Sequence, residues 1–466
     1  MLRLFVTAGC TATATVFYAK YELHEAQALQ PSNISIKGPP PELSDLKLRN
    51  VQVFMRHGAR TPIKVLPYLQ QASWPVEHLM ADPPGLDKFA YRVRDLRGDS
   101  LPMGLYETSQ RNVIFQGGCF PGQLTSPGKQ QLYDLGQRLR KEYVDEKKLI
   151  PGIYNANDIY IRSTNITRTI ESAVWLVSGL FGIQKSDSRT PNSIEIFATT
   201  DEEEILYPNF MFCNDLGRLM KRVSQHIHEI AGLLEDREIL EKALQFDHVN
   251  NKGRMNFLEL RDEVTSRVAH GLPIEPILEE WFDKIDHYAV EFLVRMISGT
   301  DKTADSQQDI LKLTAGPVFE LILNNMYGVL HRKNRFKLEV YSCHDTTMIA
   351  LLLVLSLFNG KWPPYAADLR FELLEDGKTG HLYVQVKYLG AAQSLTGVEG
   401  ETAFGSKLYP LDDFSRRFAE LAVSQRHHRD LCDQRRPHAQ PIEGRGGDDE
   451  ASYFTMSKAQ ALPQQK

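Results

Sequence analysis

Within seven residues, Arg56-His57-Gly58-Ala59-Arg60-Thr61-Pro62 sets one imidazole between two guanidinium groups. Two further runs carry related chemistry, Arg162-Ser163-Thr164 and Cys343-His344-Asp345-Thr346-Thr347. Guanidinium groups offer paired, planar donors that match phosphoryl oxygens. Arg56, Arg60, Arg162, His57 and His344 would repel one another unless an anion sat among them, and a phosphoryl group is the natural occupant. Positive neighbours favour the neutral form of His57, leaving an imidazole nitrogen free to attack phosphorus. The departing alkoxide then needs a proton. Asp345 is the acid these runs supply, so it is assigned as general acid, although as a helix cap it would also satisfy backbone N–H groups.

Other polar residues read as ordinary structure. Arg168 is expected to be an ion-pair partner on a helix face, and His226, His228 and His270 helix-surface residues. Asn33-Ile34-Ser35 and Asn165-Ile166-Thr167 match the glycosylation sequon, but a glycan on Asn165 would sit over the proposed site, and both are discounted.

The elements that must position these side chains follow from periodicity. Val51, Val53 and Met55 alternate in a β-prone run that stops at Gly58, Ile159 to Ile161 form a second strand ending at Arg162, and Lys337 to Ser342 a third ending at Cys343. Each is followed by a polar turn or a helix, the unit of a parallel sheet, whose carboxyl ends share one edge where ligands bind. Thr125 is expected to cap a helix with Leu132, Leu135, Leu139 and Tyr143 on one face, and Ile170, Val174, Val177 and Phe181 line another. A further helix begins at Pro317, and Leu369 to Leu374 with Leu382 to Leu389 make an antiparallel hairpin around Asp376-Gly377.

The fold expected is α/β, a mostly parallel central sheet flanked by helices with a helical cap subdomain. The chain divides into a targeting segment (1–30), a Pro- and Ser-rich linker (31–47), a core (48–200 and 301–423), a helical cap inserted at 201–300, and a disordered tail (424–466). Residues 64–124 read as a long irregular excursion over the surface.

Among 466 residues, 54 Lys and Arg against 59 Asp and Glu give a net charge of −5, so no global basic field attracts nucleic acid. Five widely spaced cysteines show no CxxC spacing, which argues against a disulfide framework or a zinc site and fits a reducing compartment. Leu4 to Ala19 is apolar, flanked by Arg3 and Lys20, and short of the roughly 20 residues a bilayer span needs. It reads as a targeting segment. Met348 to Phe358 is shorter still and fits a buried helix.

Arg56 to Pro62 resembles the RHGxRxP signature of the histidine acid phosphatases, and Cys343-His344-Asp345 resembles their distal His-Asp pair. Gly122-Gln123-Leu124-Thr125 with Gly128 and Leu135-Gly136, and Arg162-Ser163-Thr164 with Arg168-Thr169, resemble two more family segments, so the likeness runs from about residue 45 to about 425. It implies a phosphomonoester hydrolase acting through a phosphohistidine, with His57 as nucleophile, Asp345 as proton donor, and Arg56, Arg60, Arg162 and His344 binding the phosphate. It implies no metal and no cofactor. Val51-Gln52-Val53, Leu206-Tyr207-Pro208-Asn209, Trp362-Pro363-Pro364, and Asn165 where most relatives place Asp, are most similar to a mitochondrial branch that converts lysophosphatidate to monoacylglycerol and phosphate.

The expectations that follow are a lysophospholipid or other phosphomonoester substrate, no nucleic-acid partner, peripheral membrane contact, a monomer, and a mitochondrial location with the secretory pathway or lysosome as alternatives. Two competing readings are a phosphotransferase or mutase and a non-catalytic phospholipid-binding relative. Intact His57 and Asp345 favour the hydrolase. An acyl channel would draw on Phe89, Tyr91, Tyr106, Phe115, Phe120, Leu206, Tyr207, Phe210 and Phe212, although packing of the cap on the core is the plainer role for most of them.

Overall fold

The computed structural model describes residues 41–182, 193–249, 253–299, 304–395 and 407–433. The targeting segment, the start of the linker and the tail beyond 433 lie outside the described residues. Among the described residues nine strands form one sheet: β1 (Leu46–Arg56), β2 (Tyr91–Arg94), β3 (Ile159–Ser163), β4 (Ile194–Phe197), β5 (Leu338–Cys343), β6 (Asp368–Asp376), β7 (Leu382–Tyr388), β8 (Ala391–Ala392) and β9 (Tyr409–Pro410). Their order is β2-β4-β3-β5-β1-β6-β7-β8, with β9 also on β7. From β2 to β1 every pairing is parallel, and from β1 onward every pairing is antiparallel. This is the mostly parallel, helix-flanked sheet expected from the sequence.

Register brings the chemistry together. Arg56 lies opposite Cys343, and Ser163 opposite Ser342, so β1, β3 and β5 end level with one another. Because β6 runs the other way, its amino end pairs Asp368 with Met55 and delivers the preceding Trp362–Tyr365 segment to the same edge.

β1 is buried without a break from Asn50 to Arg56 because helices cover both faces of the sheet. Val51, Val53 and Met55 pack with Leu132, Leu135 and Leu139 of the helix Ser126–Arg140 and with Ile170, Val174 and Val177 of the helix Thr167–Phe181. Phe54 points the other way, stacking on Tyr341 at 4.6 Å and edge-on to Phe371. The side-chain N–H groups of the two polar residues sharing that face find acceptors, while Asn50 Oδ1 has no donor among the described residues. Gln52 donates to Ile322 O at 3.0 Å and accepts from Asn325, while Asn50 donates to Phe336 O and Glu339. A buried amide left without such partners would cost about 1–3 kcal/mol.

Residues 201–300 contribute helices and, among the described residues, no strand, and their apolar side chains join those of Phe319, Leu351 and Phe371 in one continuous cluster on the Phe54 face. Met348 lies in the buried helix Asp345–Val354. Among the described residues no helix is long and apolar enough to cross a membrane.

Five expectations need correction. The excursion at 64–124 carries the edge strand β2 and the short helices Val76–Leu79 and Leu105–Gln110, and it is pinned by a small core of Trp74, Phe115 and Cys119. The strand β4, which β2 pairs with, was not anticipated because four residues carry too little periodicity to stand out. β1 begins at Leu46, inside the supposed linker. Thr125 occupies the N-cap position but makes no side-chain cap, its hydroxyl donating to Ala59 O at 3.0 Å instead. The tail is helical over Gln425–Asp433, and Cys432 is disulfide-bonded to Cys213 across 219 positions of sequence. Widely spaced cysteines give no local sign of their pairing, so they are no ground for a reducing compartment.

Candidate active site

The Arg56–Pro62 segment is buried throughout most of its length and is not a solvated turn. His57 N–H donates to Cys343 O at 3.1 Å, and His57 O accepts Ala366 N–H at 3.2 Å, which clamps the residue between β5 and the loop before β6. Gly58 N–H donates to Ser172 Oγ, and Ala59 N–H to Gln131 Oε1 at 2.9 Å. Gly58 and Gly128 let the segment lie directly on the start of the helix Ser126–Arg140: a Cβ on Gly58 would fall 2.3 Å from Gly128 O, and one on Gly128 2.1 Å from Ala59 O.

His57 Nδ1 is 2.9 Å from Gly58 O. A carbonyl can only accept, so Nδ1 carries the proton and Nε2 keeps its lone pair. Burial, then Arg168, Arg60, Arg56 and His344, hold the ring well below the ordinary histidine pKa, which favours its neutral form. The His344 ring stands 5.6 Å away, edge to face. His344 is the N-cap of the helix Asp345–Val354, and its ring accepts the Thr347 N–H. Its other nitrogen therefore bears the proton, and Nε2 lies 3.1 Å from Thr164 Oγ1 as a donor facing the site.

Asp345 is the first residue of that helix. Its Oδ1 accepts Thr346 N–H, while Oδ2 takes Trp362 Nε1–H at 3.0 Å and pairs with Arg56 Nη2 at 2.8 Å. Burial alone would raise this carboxyl, but Arg56, Arg60 and the Trp362 bond overcome it and hold the pKa at about 2. Arg56 also donates to Pro363 O and lies 4.2 Å over the Tyr365 ring, so it is fixed on three sides.

The structure gathers all six predicted residues at one sheet edge but divides their duties. Arg60 makes a bidentate pair with Asp262 at 2.7 and 3.2 Å, in the helix Phe257–Ala269. Arg162 reaches Glu204 at 3.3 Å. Among the described residues, neither the buried Nε of Arg56 nor that of Arg162 has an acceptor, as suits groups waiting for an oxyanion.

Two residues read as ordinary structure need correction, and the first of them belongs here. Arg168 is buried, donates to Gln110, and is the foremost charged influence on both His57 and His344. Its position just inside a helix that follows a strand end was the available signal. His270 is not a surface residue: it is half-buried, Nε2 lies 2.7 Å from Thr125 Oγ1, and the ring meets Trp74 edge-on. Asp262, Glu204, Trp362 and Tyr365 were missed as site residues. Asp262 and Glu204 are distant acids with no local motif.

Of the aromatic and aliphatic residues considered for a channel, Phe89 and Phe115 are core side chains in separate clusters, and Leu206 and Phe210 pack in the large core. Tyr207 remains at the site, its ring 5.7 Å from His344 and 6.3 Å from Tyr106. Asn165 donates from Nδ2 to Pro102 O at 2.8 Å, a bond that an ionised aspartate could not make.

Residues 47–389 match the family described as the histidine phosphatase superfamily (branch 2). The chain is 33% identical to lysophosphatidic acid phosphatase type 6 of Mus musculus, covering 85% of this chain and 90% of that one. It is 27% identical to lysosomal acid phosphatase of Bos taurus, covering 75% and 72% respectively. Among solved structures, the apo phytase of Hafnia alvei superposes with a TM-score of 0.55 at 14% identity, covering 85% of this chain and all of the other, which supports the fold alone.

Proposed function

We propose that this chain, which belongs to branch 2 of the histidine phosphatase superfamily and is a phosphomonoester hydrolase, converts lysophosphatidate to monoacylglycerol and phosphate through a phosphohistidine on His57. The carrying observation is the tautomer of His57: Nδ1–H is tied to Gly58 O, and Nε2 is left unprotonated on a ring surrounded by Arg168, Arg60, Arg56 and His344.

In this reading the phosphate dianion is held by Arg56, Arg162, Arg168 and His344, with Arg60 keeping the loop and the local field in place through Asp262. Asp345 takes a proton from solvent as the arriving phosphate draws Arg56 away, Nε2 forms a bond to phosphorus as the ester P–O bond breaks, and Asp345 gives that proton to the departing glyceryl oxygen. The Asp345 carboxylate then takes a proton from water, whose oxygen displaces His57 and releases phosphate.

The choice of lysophosphatidate rests on the names of the relatives at about a third identity, of which this chain covers most of the length. Two assays test the reading. Acid-labile, alkali-stable phosphate should be trapped on the wild type after a quench and be absent from His57→Ala, and label on the variant would sink the nucleophile. Values of kcat/KM should rise along a series from glycerol 3-phosphate to long-chain lysophosphatidates, whereas a flat series would leave a phosphatase of some other substrate.

A mitochondrial location, peripheral contact with a lipid surface and a monomeric state belong to the same proposal, supported by the Leu4 to Ala19 segment and the lipid nature of the substrate. The Cys213–Cys432 disulfide favours the second reading, an oxidising compartment such as the secretory pathway or lysosome. Imaging of the full chain tagged at its carboxyl end distinguishes the two.

A further inference from the structure

Away from the phosphate site, a second constellation has donor atoms that converge on one point. Cys213, His428 and Cys432 place their ligating atoms within 4.8 Å of one another. Cys213 is buried at the N-cap of the helix Asn214–Gln225. His428 and Cys432 sit one turn apart on the helix Gln425–Asp433, so they face the same way. His428 Nε2 donates to Leu313 O at 2.9 Å, which leaves the lone pair on Nδ1, and Cys432 Sγ lies 3.9 Å from Nδ1 and 3.7 Å from Nε2. A carbonyl holding one ring nitrogen fixes the tautomer and leaves the lone pair on the other, as is common for metal-ligating histidines.

We propose that, once the Cys213–Cys432 bond is reduced, Cys213, Cys432 and His428 bind one Zn²⁺ or similar borderline cation, with water in the fourth position. Reduction consumes two electrons and two protons from a thiol reductant, which is itself oxidised to a disulfide, and yields two thiols. The cation then displaces the two thiol protons and takes both sulfurs and Nδ1. Tetrahedral geometry with Zn–S near 2.3 Å and Zn–N near 2.0–2.1 Å sets sulfur and nitrogen roughly 3.6 Å apart, close to the spacing already present. Breaking the S–S bond allows the sulfurs to part by the remainder.

Both cross-links do the same mechanical work. They latch the carboxyl-terminal helix to the start of the helix Asn214–Gln225, beside the stretch where Gln425 donates to Glu203 O and Arg429 pairs with Glu203. The next residue is Glu204, the partner of Arg162. Disulfide would hold the latch in an oxidising compartment and cation in a reducing one, so the molecule can keep that segment fixed in either.

The test is a Co²⁺ titration of the full-length protein under inert gas after reduction with a phosphine that binds cobalt weakly. Reduced wild type should take up one equivalent with thiolate-to-cobalt charge-transfer and tetrahedral visible bands that Zn²⁺ abolishes, and the oxidised protein should show none. Cys213→Ser should lose about half of the charge-transfer intensity, His428→Ala should weaken binding at least tenfold, and His226→Ala, in the exposed His226, His228 and Glu229 group, should change nothing. No bands on reduced wild type, bands that survive Cys213→Ser undiminished, or bands lost in His226→Ala would each overturn the proposal. If reduction loosens the fold, Zn²⁺ should raise the melting temperature of reduced wild type but not of reduced His428→Ala, and equal melts would overturn it too.

Discussion

Replacing Asp345 with Asn removes a charge and a proton while keeping the shape that receives Trp362 and Thr346. With a pKa of about 2, the wild-type carboxyl is ionised at any working pH, neutralising Arg56 at 2.8 Å. To act as an acid it must gain its proton when substrate arrives. A phosphate charge at about 4 Å repels the carboxylate by roughly 4 kcal/mol at an effective dielectric of 20. At 1.36 kcal/mol per pKa unit, that is enough to lift the carboxyl by about three units, into the range of mildly acidic pH. The arriving anion thus creates its own proton donor, and Arg56 is released from Asp345 to the phosphate in the same event. Asp345→Asn should therefore lower kcat on lysophosphatidate by about 10²–10⁴, the usual worth of general acid catalysis. Nitrophenyl phosphate, whose leaving group departs without a proton, should lose far less. Inorganic phosphate should inhibit the variant more strongly, since Arg56 no longer has a carboxylate to leave. Steady-state kinetics on both substrates with phosphate as product inhibitor measure all three. Equal losses on the two substrates, or weaker inhibition by phosphate, would refute the account.

Because the His57 pKa is depressed, kcat/KM should hold up well below pH 6, where an ordinary imidazole would be only about 3% neutral at pH 5. Arg168→Met should move the acid limb to higher pH, since one of the charges keeping His57 neutral is gone, and an unmoved limb in a pH–rate profile would contradict this. The same depression means the unfolded chain binds a proton that the folded one refuses, so stability should fall as pH drops below about 6.5, as thermal melts across pH can show. Asp262→Ala breaks a buried bidentate pair and should cost about 3–5 kcal/mol, read from denaturant unfolding, and a loss under 1 kcal/mol would mean that Arg60 is held by something else. Gly128→Ala drives a methyl group into Ala59 O, and the backbone shift it forces should cut kcat with a stability loss of about 1–3 kcal/mol, whereas unchanged activity would show that this contact does not position His57.

Strand ends that carry contiguous motifs were legible in the sequence, because a β-prone run stopping at Arg56, Arg162 or Cys343 states both where an element ends and which side chains stand there. That was enough for the parallel strands β1, β3 and β5 and for the strand-end side chains they bring to one edge. It was not enough for their partners. Arg60 is expected among the phosphate ligands from its motif alone, and that motif carries no sign of its counter-ion Asp262, 202 positions away on a helix of the cap. Glu204 and the Cys213–Cys432 pair were hidden for the same reason: contacts across the fold leave no periodic trace. Arg168 was misread because a buried arginine and a solvated one look alike in a helix whose polar face is assumed to meet water. The edge strand β2 is held by β4, and β4 by β2 and β3, and four residues alone cannot display that.

The central position of β1 also constrains how the protein is made. β1 is among the first structured segments to leave the ribosome, but its neighbours are β5 and β6, and its Asn50 bonds to Glu339, 289 positions later. At about 5–20 residues per second, a nascent chain carries that apolar strand unpaired for roughly 15–60 s. No amino-terminal fragment that stops short of β6 can enclose it, so His57, though encoded early, becomes a working residue only when synthesis is nearly complete. A premature stop anywhere before about residue 376 should therefore yield aggregate instead of a smaller enzyme.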